Sequence, residues 1–357
     1  LKEIVWDKLS PELPPGTKVV YLCPDGDLAR MPWAALPGSR PGGVLLEDVA
    51  LAAVPSGPWL LEQLLYPPGD GRAPETLLVA GGIDYGRPPA GTKAAYATLA
   101  ETDRELKRVL EAFGAADSAG LRRGEATPAA LRERLAKARY AHLATHGYFD
   151  QDGLAAERRR TREQLERWTF NPEQATQRTG LGAKHPLGYV GLALAGANDP
   201  AHAGPDGGIL TGLGIVDLRL EDLRLCVLSA CETGLGELTE GEGVIGLQRA
   251  FHVAGCPNVI GSLWKVDDAA TAALMAQFYH ELRANKRAPL EALREAQLTV
   301  YRHPERVGDL AGERGRPALD ASAKLGSAAP ATSAEKAKTA PAKLWAAFVL
   351  SGTGTAR

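Results

Sequence analysis

An α/β fold built on a largely parallel sheet is what this 357-residue sequence predicts, and three observations carry that reading. Short apolar runs alternate with stretches of helical periodicity along most of the chain, the pattern of strands joined by crossover helices. Several runs, such as LRLCVLSAC and PNVIGSLWKV, are apolar at successive residues, as strands buried on both faces are. The helical stretches repeatedly open on a capping residue or close on glycine.

Taken in order, KVVYLCPDG at 18–26 is rich in β-formers and closes on Pro-Asp-Gly. DLARMPWAAL then returns as a second strand or a short helix, so an N-terminal hairpin region is expected. TLLVAGG at 76–82 reads as a strand ended by a glycine pair, and TLAETDRELKRVLEAFG as the helix after it. ATPAALRERLAKA at 126–138 places Thr127 to cap and Pro128 at the first helical position, and it delivers the strand YAHLATHG. LRLCVLSAC at 223–231 is a buried-type strand, followed by a helix in GVIGLQRAFHVAG and a strand in PNVIGSLWKV. DAATAALMAQFYHELRANK and PLEALREAQLTVYRH are amphipathic helices, and LWAAFVLSG at 344–352 is the last strand.

Two segments interrupt the alternation. Residues 151–207 are rich in Arg, Glu, Gln and Gly and too long for an ordinary connection, so an insertion beside the active-site end is expected. Residues 308–343 mix Ala, Lys, Pro and Ser with few large apolar side chains, and a flexible loop is expected there. The organisation is therefore an N-terminal lead-in at 1–70 and a core at 71–357 carrying both insertions.

With 45% hydrophobic residues and a formal net charge of −2, the chain is globular and has no basic field to draw nucleic acid or an anionic membrane. Cysteines at 23, 226, 231 and 256 are widely spread and form no C-x-x-C pair, which favours a reducing, cytoplasmic setting. No apolar run approaches the roughly 18 residues of a membrane helix, and no signal segment opens the chain. LKEIVWDKL reads as the tail of a helix, so sequence upstream of Leu1 is expected.

Two strand ends carry candidate chemistry. AHLATHG ends on His146 and Gly147, and CVLSAC ends on Cys231, 85 residues after His146 (231 − 146). Ligands of open α/β sheets bind outside the carboxyl ends of the strands, so the two side chains can meet across one crevice. An imidazole that becomes cationic lowers the pKa of a neighbouring thiol and later protonates a leaving amine. Gly147 offers an unobstructed backbone N–H to a developing oxyanion. From residue types alone, a core cysteine and a satisfied strand-end histidine explain the same residues, and that alternative stays open here.

Other motifs carry less. GEGVIG at 241–246 matches G-x-G-x-x-G, but it does not follow its strand directly as a dinucleotide loop must. His142 and His146 have the spacing of a zinc helix, yet their segment reads as a strand without the glutamate, leaving His142 as a core or supporting residue. Neither G-x-S-x-G nor G-x-x-x-x-G-K-[ST] occurs.

YAHLATHGYF, LRLCVLSACETGLGE, GEGVIGLQRAFHVAGCPNVIGSLWKVDD, FYHEL and LWAAFVLSG, with LARMPWAALPG near the start, together resemble the CHAT domain. This is a bacterial caspase-like family of the caspase and separase clan, often attached to tetratricopeptide repeats, and the resemblance runs from about residue 19 to 352. It implies a caspase-like fold with the catalytic pair at His146 and Cys231, and a cysteine endopeptidase without metal or organic cofactor. By similarity to separases, Asp268, with Asp267 beside it, would hold a basic substrate residue; the competing role is a helix cap. The partners implied are a protein substrate and an activating protein or upstream tetratricopeptide repeats, with no direct nucleic acid and no membrane. Arg158, Arg159 and Arg160 offer a self-cleavage site or a solvated surface. The alternative is a caspase-like fold kept as a non-catalytic interaction module.

Overall fold

A computed structural model of the chain describes residues 2–67, 75–114, 118–150, 153–157, 159–160, 162–163, 185–229, 237–239, 243–264, 266–310 and 339–355. Its strands are β1 (Val19–Leu22), β2 (Ala50–Ala53), β3 (Leu77–Ile83), β4 (Ser118–Arg123), β5 (Tyr140–Leu143), β6 (Gly147–Phe149), β7 (Val190–Ala193), β8 (Ile209–Thr211), β9 (Leu225–Leu228), β10 (Glu237–Thr239), β11 (Gly243–Ile245), β12 (Asn258–Ser262) and β13 (Phe348–Gly352). The helices that frame the sheet are α1 (Gly57–Leu65), α2 (Ala100–Phe113), α3 (Pro128–Leu135), α4 (Leu247–Val253), α5 (Asp268–Arg283) and α6 (Pro289–Arg302).

Eight strands form the central sheet in the order β1-β2-β13-β12-β9-β5-β3-β4. Pairing is parallel from β12 through β9, β5 and β3 to β4. It turns antiparallel between β12 and β13 and is parallel again across β13, β2 and β1. The carboxyl ends of the five-strand block therefore share one edge, while β13, β2 and β1 run the other way.

Side chains alternate across this sheet with the two-residue period of a strand. Leu77, Val79, Leu225 and Val227 pack on one face with Leu106 of α2, Leu274 of α5 and Leu293 of α6. Leu78, Ala80, Cys226 and Leu228 pack on the other, with Leu131 of α3 and Phe251 of α4. Because both faces are covered, these strands are apolar at every residue, and this is the α/β class the sequence predicts. Local signals act as expected at α3, where the Thr127 hydroxyl accepts the Ala130 N–H at 3.2 Å and Pro128 follows it.

Two regions differ from expectation. No N-terminal hairpin forms: β1 pairs in parallel with β2, reached through 3-10 turns at Gly26–Arg30 and Trp33–Ala35. Pro24 and Pro32 have no N–H for a returning ladder, and the Leu28 and Met31 N–H groups bond to the nearby Asp25 and Leu28 carbonyls instead. Within 151–207, β7 is a buried strand at the centre of a separate antiparallel sheet, β6-β7-β8. The Arg- and Gln-rich residues before it obscure its VGLA run. Residues 311–338, most of the expected flexible loop, lie outside the described residues. No helix among the described residues is long and apolar enough to cross a membrane.

Candidate functional site

The site begins with strand register. β5 and β9 are hydrogen-bonded neighbours, with Tyr140 opposite Leu225 and Leu143 opposite Leu228. That offset is 85 residues (228 − 143), the same offset that separates His146 from Cys231. The Ser229 N–H donates to the Leu143 carbonyl at 3.0 Å, so the ladder continues past the strand end. Cys231 itself lies outside the described residues, which stop at Ser229 on this strand. β12 flanks β9 on its other side, Gly261 opposite Leu228, so three carboxyl ends stand side by side.

His146 sits just beyond β5, partly exposed. Its Nε2–H donates to the Ala97 carbonyl at 2.8 Å. A carbonyl only accepts, so this bond places the proton on Nε2 and leaves Nδ1 as the basic nitrogen of the neutral ring. The ring packs against Tyr85 and Tyr96, at centroid distances of 5.1 and 5.7 Å, and the two tyrosine rings lie 5.9 Å from each other. Beneath it Thr145 is buried, donating to the Ala193 carbonyl and accepting from the Tyr85 hydroxyl at 2.9 Å. Burial, with smaller contributions from Tyr148 and Tyr85, pushes the Tyr96 phenol up to about 12.

Gly147 opens β6, and the β6–β7 ladder fixes which way its N–H turns. The Ala193 N–H bonds to the His146 carbonyl at 3.0 Å, and the Asp150 N–H to the Tyr189 carbonyl at 2.8 Å. Hydrogen-bonded and non-bonded pairs alternate in an antiparallel ladder, so Gly147, opposite Leu192, occupies a non-bonded position. Its N–H turns away from β7.

After β12 the chain reaches Asp267 and then Asp268, whose backbone opens α5. Asp267 is exposed, and its Oδ1 accepts the Ala269 and Ala270 N–H groups at 3.1 Å each. The capping role weighed for this pair is thus performed by Asp267.

Two groups of polar side chains near the site were not assembled by the sequence reading, although His142 was read as a core or supporting residue. His142, buried in β5, donates from Nε2 to Glu105 Oε1 at 3.0 Å and accepts at Nδ1 from the Tyr279 hydroxyl at 2.9 Å. The Ser229 hydroxyl donates to the same Oε1 at 2.6 Å. Asn198, after β7, binds the backbone of the loops that hold Tyr85 and Tyr96. An isolated Asn after an apolar run was its only sequence signal. A groove of about 580 Å³ between α1 and α4, lined by Trp59, His252 and Val253, contains none of the candidate residues. Within GEGVIG, the described part Gly243–Ile245 pairs antiparallel with Glu237–Thr239, and Gly246 precedes α4.

The model of the CHAT domain matches residues 1–353. The chain belongs to the CHAT domain family. Among curated proteins, it is 25% identical over 298 residues to Tetratricopeptide repeat protein 28 of Mus musculus and 26% identical over 300 residues to that of Homo sapiens. Each match covers 78% of this chain and 11% of the relative, so this CHAT domain spans about a tenth of the curated relatives it matches. Among solved structures, two of the Saccharomyces cerevisiae separase–securin complex superpose with TM-scores of 0.45 and 0.44, at 14% and 13% identity. Each superposition covers 93% of this chain and 15% of the yeast chain.

Proposed function

We propose that this CHAT domain is a cysteine endopeptidase in which Cys231 attacks the scissile carbonyl and His146 transfers the proton. The observation that supports the reading is the shared 85-residue offset: β5 and β9 are adjacent parallel strands with Leu143 opposite Leu228, and His146 and Cys231 each follow three residues later in the sequence.

In the proposed sequence, the Cys231 thiol proton passes to His146 Nδ1 and the thiolate bonds to the carbonyl carbon. The carbonyl oxygen becomes an oxyanion, for which Gly147 N–H is the candidate donor. The imidazolium protonates the departing amine as the C–N bond breaks, and a water deprotonated by His146 then hydrolyses the thioester. The Ala97 carbonyl holds Nε2–H throughout and stabilises the cationic ring. Asp268, with Asp267 beside it, is proposed to select a basic residue before the cut. An upstream repeat array or a protein partner is proposed to deliver substrate or switch the site on, in the cytoplasm.

The test is to incubate the purified domain, wild type and Cys231→Ala, with a peptide library and an irreversible thiol-directed peptide probe, mapping cuts and adducts by mass spectrometry. Cleavage and Cys231 labelling that both vanish in the variant support the dyad; cleavage after residues other than Arg or Lys rejects the acidic pocket. The second reading is a non-catalytic interaction module, favoured by relatives named for their repeats. No cleavage or labelling, with repeats and partners supplied, would establish that reading instead.

A further inference from the structure

Asn198 is buried, and its side chain joins segments that are distant in sequence. Its Oδ1 accepts the Tyr96 N–H at 2.9 Å, and its Nδ2 donates to the Tyr96 carbonyl at 2.9 Å and the Gly86 carbonyl at 3.2 Å. Its own backbone N–H donates to the Tyr85 carbonyl at 2.7 Å. The amide orientation is determined by its partners: a flip would turn an oxygen toward two carbonyls and an N–H toward an N–H. Asn198 therefore pairs with Tyr96 as a neighbouring strand would, holding both backbone groups of one residue.

The next residue is Ala97, whose carbonyl takes the His146 Nε2–H at 2.8 Å. Tyr85 and Tyr96, whose rings both pack against the imidazole and against each other, are the residues whose backbones Asn198 binds. The loop that carries Asn198 is held in turn. The Gly196 N–H donates to the Asp84 carbonyl at 3.1 Å, and the Ala195 N–H to the Ala126 carbonyl at 2.9 Å. At Gly208 the backbone is left-handed (φ +76°), and an added Cβ would collide with the Ala197 backbone.

We propose that Asn198 is a positioning residue: by clamping Tyr96 it sets the Ala97 carbonyl against Nε2 and so selects the Nε2–H tautomer that leaves His146 Nδ1 free to take a proton. The catalytic consequence rests on the peptidase reading above, whereas the tautomer claim does not.

The experiment compares full-chain wild type, Asn198→Ala and Asn198→Asp. The aspartate keeps an acceptor for Tyr96 N–H but turns an oxygen toward the Tyr96 and Gly86 carbonyls. ¹⁵N-histidine NMR, with His146 assigned by His146→Gln, reads the tautomer; steady-state cleavage reads kcat and KM. The expected result is a wild-type Nε2–H resonance that both variants lose while circular dichroism stays native, with kcat lower by roughly 10- to 100-fold at unchanged KM. Variants that keep the wild-type resonance and kcat overturn the proposal. So does loss of native fold in both, which would make Asn198 a structural residue. If the wild type cuts nothing, the peptidase reading fails, and the NMR comparison still decides whether Asn198 sets the tautomer.

Discussion

The Ser229 hydroxyl donates to Glu105 Oε1 at 2.6 Å across 124 residues of sequence, joining the end of β9 to helix α2. The same oxygen accepts from His142 Nε2, and the Tyr279 hydroxyl of α5 donates to His142 Nδ1. In this arrangement each donor faces an acceptor. The strand leading to Cys231 is thus tied to the strand leading to His146 by polar contacts as well as by the sheet ladder.

Removing the shared acceptor leaves a buried imidazole N–H and a hydroxyl without their partner. Glu105→Ala is expected to lower stability by about 2–4 kcal/mol, and Tyr279→Phe, which withdraws one donor, by about 1–2 kcal/mol. Because both variants act on His142, their effects should not add. Urea unfolding of the singles and the double gives the coupling directly. Strict additivity would show that the two contacts do not act through His142.

Asp267 can be separated into its capping and charge roles. Asp267→Asn keeps an oxygen for the Ala269 and Ala270 N–H groups, whereas Asp267→Ala removes it. The alanine is expected to lose about 1 kcal/mol of stability and the asparagine little. If the charge also serves substrate selection, Asp267→Asn alters the preference for Arg or Lys at unchanged melting temperature. Equal cleavage profiles in Asp267→Asn and wild type would leave Asp267 a cap alone.

His252 supplies a pH dependence of stability. Its Nδ1–H donates to the Cys256 carbonyl, its Nε2 bonds with the Ser351 hydroxyl, and its ring packs on Trp59 at 4.7 Å. Burial lowers its pKa from 6.5 to about 4, so between those values the unfolded chain holds a proton that the folded chain does not. Stability must therefore fall as pH falls through this window, by up to about 3 kcal/mol from this group. Urea midpoints from pH 7 to 4 are expected to drop more steeply in wild type than in His252→Gln; parallel curves would contradict the assignment.

Fold and site were legible in the sequence to different depths. The runs that became β3, β5, β9 and β12 were readable because burial on both faces makes a strand largely apolar, and Thr127-Pro128 announced α3 through local chemistry. β2 at Ala50–Ala53 was not read: the return strand was expected in DLARMPWAAL, and a parallel partner further along is chosen by tertiary packing and not by the turn after β1. The 85-residue spacing of His146 and Cys231 acquires its meaning only from the β5–β9 register. His142 could be read as a core or supporting residue, but Glu105, Ser229 and Tyr279 come from other elements, and no spacing predicts such partners. Asn198 was hidden for the same reason: its ligands are backbone groups about a hundred residues earlier.

Differential thiol reactivity tests the candidate nucleophile against an internal standard. Cys226 and Cys256 are buried, and burial raises both thiols, Cys256 to about 12. The Cys256 thiol also donates to the Asn258 carbonyl at 3.2 Å. Neither should react with iodoacetamide in the native protein, whereas Cys23 is exposed and accessible to the reagent. Near pH 6 a Cys231 held as thiolate by His146 is expected to be alkylated at least tenfold faster than Cys23. His146→Ala should abolish that advantage without changing the rate at Cys23. Peptide mapping after timed alkylation reads all four positions at once. Equal rates at Cys231 and Cys23 in the wild type would mean that the imidazole does not activate the thiol, even if the two residues adjoin.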